Sequence, residues 1–177
     1  MATENYALLM PGGYASREPY PEIKAAKKSK MAVDLLLEDY SGNVSELTAT
    51  LQYMYHNFVI KPFNESLANL LEKTAIVEMI HLEVLAAAII ALGGKPIYKT
   101  GDYFNPKYWC ADTINYGKNL EERLQSDLDS EYKAIRRYRE HISRIDDPGI
   151  QTLLKRIILD EEVHVELFKE ALKKYTI

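Results

Sequence analysis

Val77-Glu78-Met79-Ile80-His81-Leu82 and Asp160-Glu161-Glu162-Val163-His164-Val165 are the two stretches whose reading decides the fold. In each, a glutamate and a histidine stand three residues apart, a spacing that puts both on one face of a helix. Both stretches lie inside long helical patterns. The first pattern runs from about Glu65 to Leu92 and stops at Gly93-Gly94, a common helix end. The second follows the turn Asp146-Asp147-Pro148-Gly149 and reaches about Lys174, with Ile150, Leu154, Ile157, Glu161, His164, Phe168 and Leu172 along one face.

Two further helices complete the set. Val44, Leu47, Leu51, Met54 and Phe58 recur at steps of three and four, predicting a helix over about Val44 to Ile60 with that stripe buried and Pro62 as its stop. Leu120, Leu124, Leu128, Glu131, Ile135, Tyr138 and Ile142 predict a helix over about Asn119 to Arg144. No strand pattern competes. The class is all-α, a four-helix bundle. Between the second and third helices lies Lys95 to Lys118, rich in Tyr, Gly, Pro and Asn and long for a structureless loop. A bundle whose second and third helices run the same way needs such a crossover. At roughly 3.3 Å per residue it is long enough to travel the length of the bundle.

Residues 41–177 are therefore expected to form the bundle, and residues 1–40 an arm followed by a short helix. The arm, to about residue 22, holds Pro11, Gly12, Gly13, Pro19 and Pro21 and has no periodic apolar face. Its Tyr6, Tyr14 and Tyr20 suggest that it lies on another surface, such as a neighbouring subunit. The short helix is expected from about Ile23 to Tyr40, broken by Ser41-Gly42-Asn43.

The chain of 177 residues is 47% hydrophobic and 27% charged, with a net charge of −4, enough apolar content for a real core. The charge balance gives no electrostatic reason to expect a nucleic-acid partner, and the lysines from Lys24 to Lys30 read as the solvated start of a helix. The single cysteine, Cys110, leaves no intrachain disulfide and no CxxC metal knuckle. It fits a reducing compartment and reads as a packed bystander. Ala7 to Met10 is too short for a signal peptide, and Val84 to Leu92 too short to span a bilayer. A cytoplasmic protein without a membrane partner is expected.

The chemistry lies where the inner faces turn acidic. Glu46 and Glu131 on the first and third helices join Glu78, His81, Glu161 and His164 on the second and fourth. Carboxylates among apolar neighbours are costly unless a cation neutralises them. The spacing repeats: Glu46 precedes Glu78 by 32 residues and Glu131 precedes Glu161 by 30, while Tyr53 and Tyr138 each follow their glutamate by seven. The two hairpins thus read as two copies of one ligand-bearing unit. Packed about a pseudo-twofold axis, they bring four carboxylates and two imidazoles together. Four carboxylates balance two divalent ions, and oxygen-rich ligation with one imidazole per ion suits Mn or Fe. Tyr53 and Tyr138 read equally as core aromatics or as hydrogen-bond donors to a ligand carboxylate. His56 and His141, ten residues after a ligand glutamate, rotate off the inner stripe and are expected at the surface. Glu83 and Glu162 are expected to be exposed or to back the ligands. Asp160 is one step off the stripe and a weaker candidate, and Thr50 and Thr74 read as packing residues.

The pattern Glu46, Glu78-Met79-Ile80-His81, Glu131 and Glu161-Glu162-Val163-His164 resembles that of the dinuclear carboxylate proteins of the ferritin-like superfamily. Glu46-Leu47, His81-Leu82-Glu83-Val84-Leu85 and Asp146-Asp147-Pro148 look most like the manganese-catalase branch and its spore-coat relatives. Rubrerythrins and bacterioferritins share the ligands. The resemblance covers about residues 41 to 173. One cysteine leaves no rubredoxin domain, and Leu128 stands where rubrerythrins carry an extra acid. The resemblance implies a dinuclear Mn or Fe oxidoreductase that decomposes hydrogen peroxide. Glu46 and Glu131 would be ligands from the first and third helices, Glu78 and Glu161 would lie near both ions, and His81 and His164 would take one ion each. Glu161 is implied as a proton shuttle, with Tyr53 and Tyr138 as further candidate catalytic residues. Hydrogen peroxide or dioxygen would be the small-molecule substrate and a homo-oligomer the assembly. A ferroxidase or peroxidase handling iron, and a non-catalytic bundle of spore-coat type, are the alternatives.

Overall fold

The computed structural model describes residues 6, 9–101 and 105–176. Among them are five α-helices: α1 (Lys30–Ser41), α2 (Glu46–Ile60), α3 (Glu65–Ala91), α4 (Leu120–Arg144) and α5 (Pro148–Tyr175). Each begins at a side-chain cap. Ser29, Ser45, Asn64, Asn119 and Asp147 accept from backbone N–H groups of the first turn that would otherwise lack partners. α3 ends where Gly93 adopts φ +89° and the Gly94 N–H returns to the Ile89 carbonyl at 2.8 Å, a left-handed stop open to glycine at no steric cost.

The short connections between α2 and α3 and between α4 and α5 make two antiparallel hairpins, and each pair packs along its length. The hairpins meet through α2 against α4 and α3 against α5. Cross-helix contacts fix the directions. Tyr53 meets Glu131 while Tyr138 meets Glu46, so α2 and α4 are antiparallel. His81 meets Asp160 while His164 meets Glu78, so α3 and α5 are antiparallel too. Hence α3 and α4 run the same way, and the crossover between them is obligatory. It contains a two-residue antiparallel pair, β1 (Lys99–Thr100) with β2 (Lys107–Tyr108), and a 3-10 turn at Ala111–Thr113. The core is continuous, with Leu71, Leu85, Ile89, Leu124, Ile157 and Phe168 fully enclosed. α3 is long and apolar enough to cross a membrane, and just over half of its most apolar window (56%) is buried in the bundle.

Several expectations need correction. The apolar stripe on α2 faces outward: Leu51 and Phe58 are 38% and 62% exposed, and Val44, Leu47 and Met54 are only partly covered. The buried face of α2 is instead Glu46, Thr50, Tyr53, His56, Asn57 and Ile60. The short helix begins at Lys30, capped by Ser29, so residues 23–29 precede it. It packs on α3, α2 and α4. The crossover has the small strand pair that periodicity did not indicate. Cys110 is exposed. The arm lies on this chain's own bundle: the Arg156 Nε donates to the Glu18 carbonyl, and the Ala26 N–H donates to Asp147.

Candidate metal centre

The six residues singled out by spacing converge. Glu46, Glu78, Glu131, Glu161, His81 and His164 are all at most 3% exposed, in the middle of the bundle. α3 and α5 each deliver a Glu and His from adjacent turns of one face, and α2 and α4 each deliver one Glu. Their donor atoms form two overlapping groups, Glu46–Glu78–His81–Glu161 and Glu78–Glu131–Glu161–His164, each with one atom per residue lying within 4.8 Å of the others. Glu78 and Glu161 belong to both.

Both imidazoles aim Nδ1 into the cluster and Nε2 out of it. His81 Nδ1 lies 2.9 Å from Glu78 Oε2, 3.2 Å from Glu46 Oε2 and 3.4 Å from Glu161 Oε1. His164 Nδ1 lies 2.9 Å from Glu78 Oε1, 3.0 Å from Glu161 Oε2 and 3.5 Å from Glu131 Oε1. Outside the cluster, His81 Nε2 is 3.2 Å from Asp160 Oδ2, and His164 Nε2 is 3.0 Å from the Tyr14 carbonyl. A carbonyl only accepts, so His164 carries a hydrogen on Nε2, which leaves Nδ1 as the nitrogen turned toward the centre. The two tyrosines brace the outer carboxylates in trans: Tyr53 on α2 donates to Glu131 on α4, and Tyr138 on α4 donates to Glu46 on α2.

The donor set fits metal ions. Buried carboxylates elsewhere have their own partners: Asp39 bonds His141 at 2.8 Å, Asp127 bonds His56 at 2.9 Å, and Asp160 bonds Arg156 at 2.7 Å. The four glutamates of the cluster share only two imidazoles and the hydroxyls of Tyr53 and Tyr138. Glu78 Oε1, Glu161 Oε2 and His164 Nδ1 are buried with no well-aligned hydrogen bond, although they lie close together. Donor atoms buried this close together with no well-aligned hydrogen bond among them are the arrangement that a cation satisfies.

Electrostatics within the cluster show the same crowding of charge. Burial, then the charges of Glu161 and Glu131, push the Glu78 carboxyl well above the usual range. Burial and the neighbouring Glu161 push Glu131 up to about 7. Burial alone would raise Glu161, but the two histidines hold it down at about 2. Burial works against charge on His81 and His164, yet the surrounding acidic groups raise both well above an ordinary imidazole. Tyr53 and Tyr138 are pushed up by burial and by the adjacent carboxylates, so both stay protonated as donors.

A cavity of about 160 Å³ leads in between α2 and α4, from the exposed Asp129 and Lys133 to Glu46, Glu78, Glu131 and Glu161. Ser45, Thr48, Ser126 and Ser130 line it, and Thr113 and Asn115 of the crossover form part of the wall. The crossover is pinned there: Trp109 Nε1 donates to Thr48, the Asn115 N–H donates to Gln52, and His56 bonds the Asn115 carbonyl.

Spacing gave an incomplete account of the surroundings. His56 and His141, expected at the surface, are buried, each against an aspartate from a neighbouring helix. They lie outside both donor groups. Asp160 is fully buried and binds His81, Tyr20, Ser16 and Arg156. The arm's roles, through the Tyr14 carbonyl, the Ser16 N–H and the Tyr20 hydroxyl, had no sequence signal beyond the unexplained tyrosines. Glu83 and Glu162 are exposed and Thr50 and Thr74 buried, as expected.

Comparison with known proteins places this architecture. The family profile described as Ferritin-like domain matches residues 44–176. A bacterioferritin of Mycobacterium leprae is 29% identical over 134 residues, 72% of this chain and 77% of that protein. A probable manganese catalase of Clostridium acetobutylicum is 23% identical over 173 residues, 86% of this chain and 75% of that protein. Among solved structures, the manganese catalase KatB from Anabaena PCC7120 superposes with a TM-score of 0.81, at 24% identity over 91% of this chain and 80% of its own, a likeness of fold. With three quarters of its length matched by the profile, a span that holds α2 to α5, this chain belongs to the ferritin-like domain family.

Proposed function

We propose that the cluster holds two metal ions, Mn or Fe, and that the protein decomposes hydrogen peroxide in the manner of a catalase. The observation that carries this reading is the sharing of Glu78 and Glu161 by two donor groups that each have one private glutamate and one private histidine. Glu46 and His81 would hold one ion, Glu131 and His164 the other, with Glu78 and Glu161 between them. Ions held there would supply the two-electron redox chemistry that turns two H2O2 into two H2O and one O2 without an outside reductant. The likeness to the probable manganese catalase and to KatB supports this direction.

The chain's own residues contribute binding and proton handling. The hydroxyl-lined cavity suits a small polar substrate and ends on the four glutamates. Glu161 faces that cavity and lies against both imidazoles, so it is the carboxylate placed to pass a proton between the cavity and the centre. Tyr53 and Tyr138 fix the outer carboxylates so that the donor atoms keep their places. Oxygen release from peroxide by the Mn-loaded protein, with no reductant present, tests the reading. Absence of release at every metal loading refutes it.

A second reading rests on the bacterioferritin matches: the same centre would oxidise Fe(II) with dioxygen or peroxide. Iron-dependent oxygen consumption without peroxide disproportionation would select it. We further place the protein in the cytoplasm as a homo-oligomer, with the outward apolar stripe of Leu51 and Phe58 covered by a second copy. Sedimentation equilibrium showing only monomer would remove that part.

A further inference from the structure

The two hairpins repeat each other at all six cluster positions, yet the repeat fails one residue upstream. On α5 the residue before Glu161 is Asp160, and on α3 the residue before Glu78 is Val77. Both are fully buried. His81 therefore has a carboxylate against its outer nitrogen, 3.2 Å away, and His164 has no matching aspartate from α3. The N-terminal arm supplies the substitute, placing the Tyr14 carbonyl 3.0 Å from His164 Nε2.

The same arm holds Asp160 in place. Its Oδ1 accepts from the Ser16 N–H and from Arg156 Nη1, each at 2.7 Å, and its Oδ2 accepts from the Tyr20 hydroxyl at 2.7 Å. Arg156 in turn donates to the Glu18 and Ser16 carbonyls and lies 4.3 Å under the Tyr20 ring. One short stretch of arm thus governs what stands behind both imidazoles, an anion behind one and a neutral peptide group behind the other.

We propose that the Tyr14–Tyr20 segment is a working part of the centre and makes its two ion positions unequal, with Asp160 as the positioning residue for His81. The inference rests on the dinuclear reading above. An imidazole backed by a carboxylate is a more basic ligand than one backed by a carbonyl, and such partners govern metal affinity by about 10–100-fold. The position served by His81 binds more tightly and fills first. Filling the centre also holds the docked arm more firmly, because the arm's contacts are made to the residues that orient the ligands.

The test is a titration of the metal-free full chain with Mn(II), following the unbound ion by its electron paramagnetic resonance signal. The wild type binds two ions in unequal steps. Asp160→Asn, which keeps the shape and removes the charge, weakens the tighter step by about 10–100-fold and leaves the weaker step nearly unchanged. Tyr20→Phe weakens the same step to a smaller degree, and serves if Asp160→Asn does not fold. Tryptic cleavage at exposed Arg17, measured against cleavage at exposed Lys107, slows on loading of the wild type and not of Asp160→Asn. Equal steps in the wild type, or equal losses at both steps in the variants, overturn the inference and leave the dinuclear reading standing. A wild type that binds no ion overturns both.

Discussion

The Tyr138 hydroxyl on α4 donates to the Glu46 carboxylate on α2, across the interface between the two hairpins. The contact has a mirror in Tyr53 and Glu131, so each half of the chain braces the acid of the other. A hydrogen bond to a buried charge contributes about 1.5–3 kcal/mol, and its loss leaves the carboxylate under-satisfied. Tyr53→Phe and Tyr138→Phe are each expected to fold, and each is expected to weaken Mn(II) binding by about tenfold or more. Because the braces are related by the pseudo-twofold axis, the two losses are expected to be of similar size. Calorimetric metal titration of the two variants measures them.

Metal removal is expected to reverse the pH dependence of stability. In the metal-free fold Glu131 titrates at about 7, above its ordinary 4.5, and Glu78, His81 and His164 are also raised. A group with a raised folded pKa contributes stability in full below its unfolded value and loses it as pH climbs through the folded value. Glu161, held at about 2, has the opposite sign, but its contribution changes only below about pH 4.5, its ordinary value. Between about pH 5 and 8 the metal-free protein is therefore expected to lose stability as pH rises. A carboxyl whose pKa rises by one pH unit on folding alters stability by about 1.4 kcal/mol across its titration, and 1 kcal/mol moves the melting temperature by about 2–4 °C in a chain of this size. The loaded protein is expected to hold or gain stability over the same range, since ions bind the deprotonated ligands. Thermal unfolding with chelator and with Mn(II), at pH 5.5 and 8, checks the crossing trends.

Shared and private ligands are expected to differ in their effects. Glu78→Ala removes an acid common to both donor groups, and Glu46→Ala removes one that belongs to a single group. Glu46→Ala is expected to retain one ion per chain and Glu78→Ala to lose tight binding at both positions. Metal content after gel filtration distinguishes the two outcomes.

Asp147 ties the start of α5 to the segment before α1. Its Oδ1 accepts from the Gly149 and Ile150 N–H groups and its Oδ2 from the Ala26 N–H at 2.7 Å. Asp147→Ala is expected to cost about 1–2 kcal/mol, from the lost helix cap with the Ala26 contact added, while leaving the six cluster residues in place. A melting temperature lower by roughly 2–8 °C, with unchanged metal stoichiometry, is the expected result.

The helices and the six central residues were legible because two kinds of periodicity agreed on α3, α4 and α5: apolar stripes, and Glu and His at positions within those stripes. On α2 they disagreed. Its buried side carries Glu46, Thr50, Tyr53 and Asn57, so its apolar residues were left to face outward and a hydrophobic reading chose the wrong face. Glu46 survived that error because the hairpin repeat, through its spacing to Glu78 and Tyr53, identified it independently. The placement of His56, His141 and Asp160 was not legible. Each is enclosed by an element distant in sequence: the Asn115 region covers His56, α1 covers His141, and the arm covers Asp160. The arm has no helical or strand period of its own, so nothing local in its sequence reveals where it lies.

The central claim is that four glutamates and two histidines confine a pair of ions in the bundle. Elemental analysis of the protein purified without added metal, counted per chain, tests it most directly. The account predicts close to two equivalents of Mn or Fe, reduced to almost none in a Glu78→Ala, Glu161→Ala double variant that keeps its helical content. Well under one equivalent of Mn and Fe together, with no uptake of either on reconstitution, would contradict it.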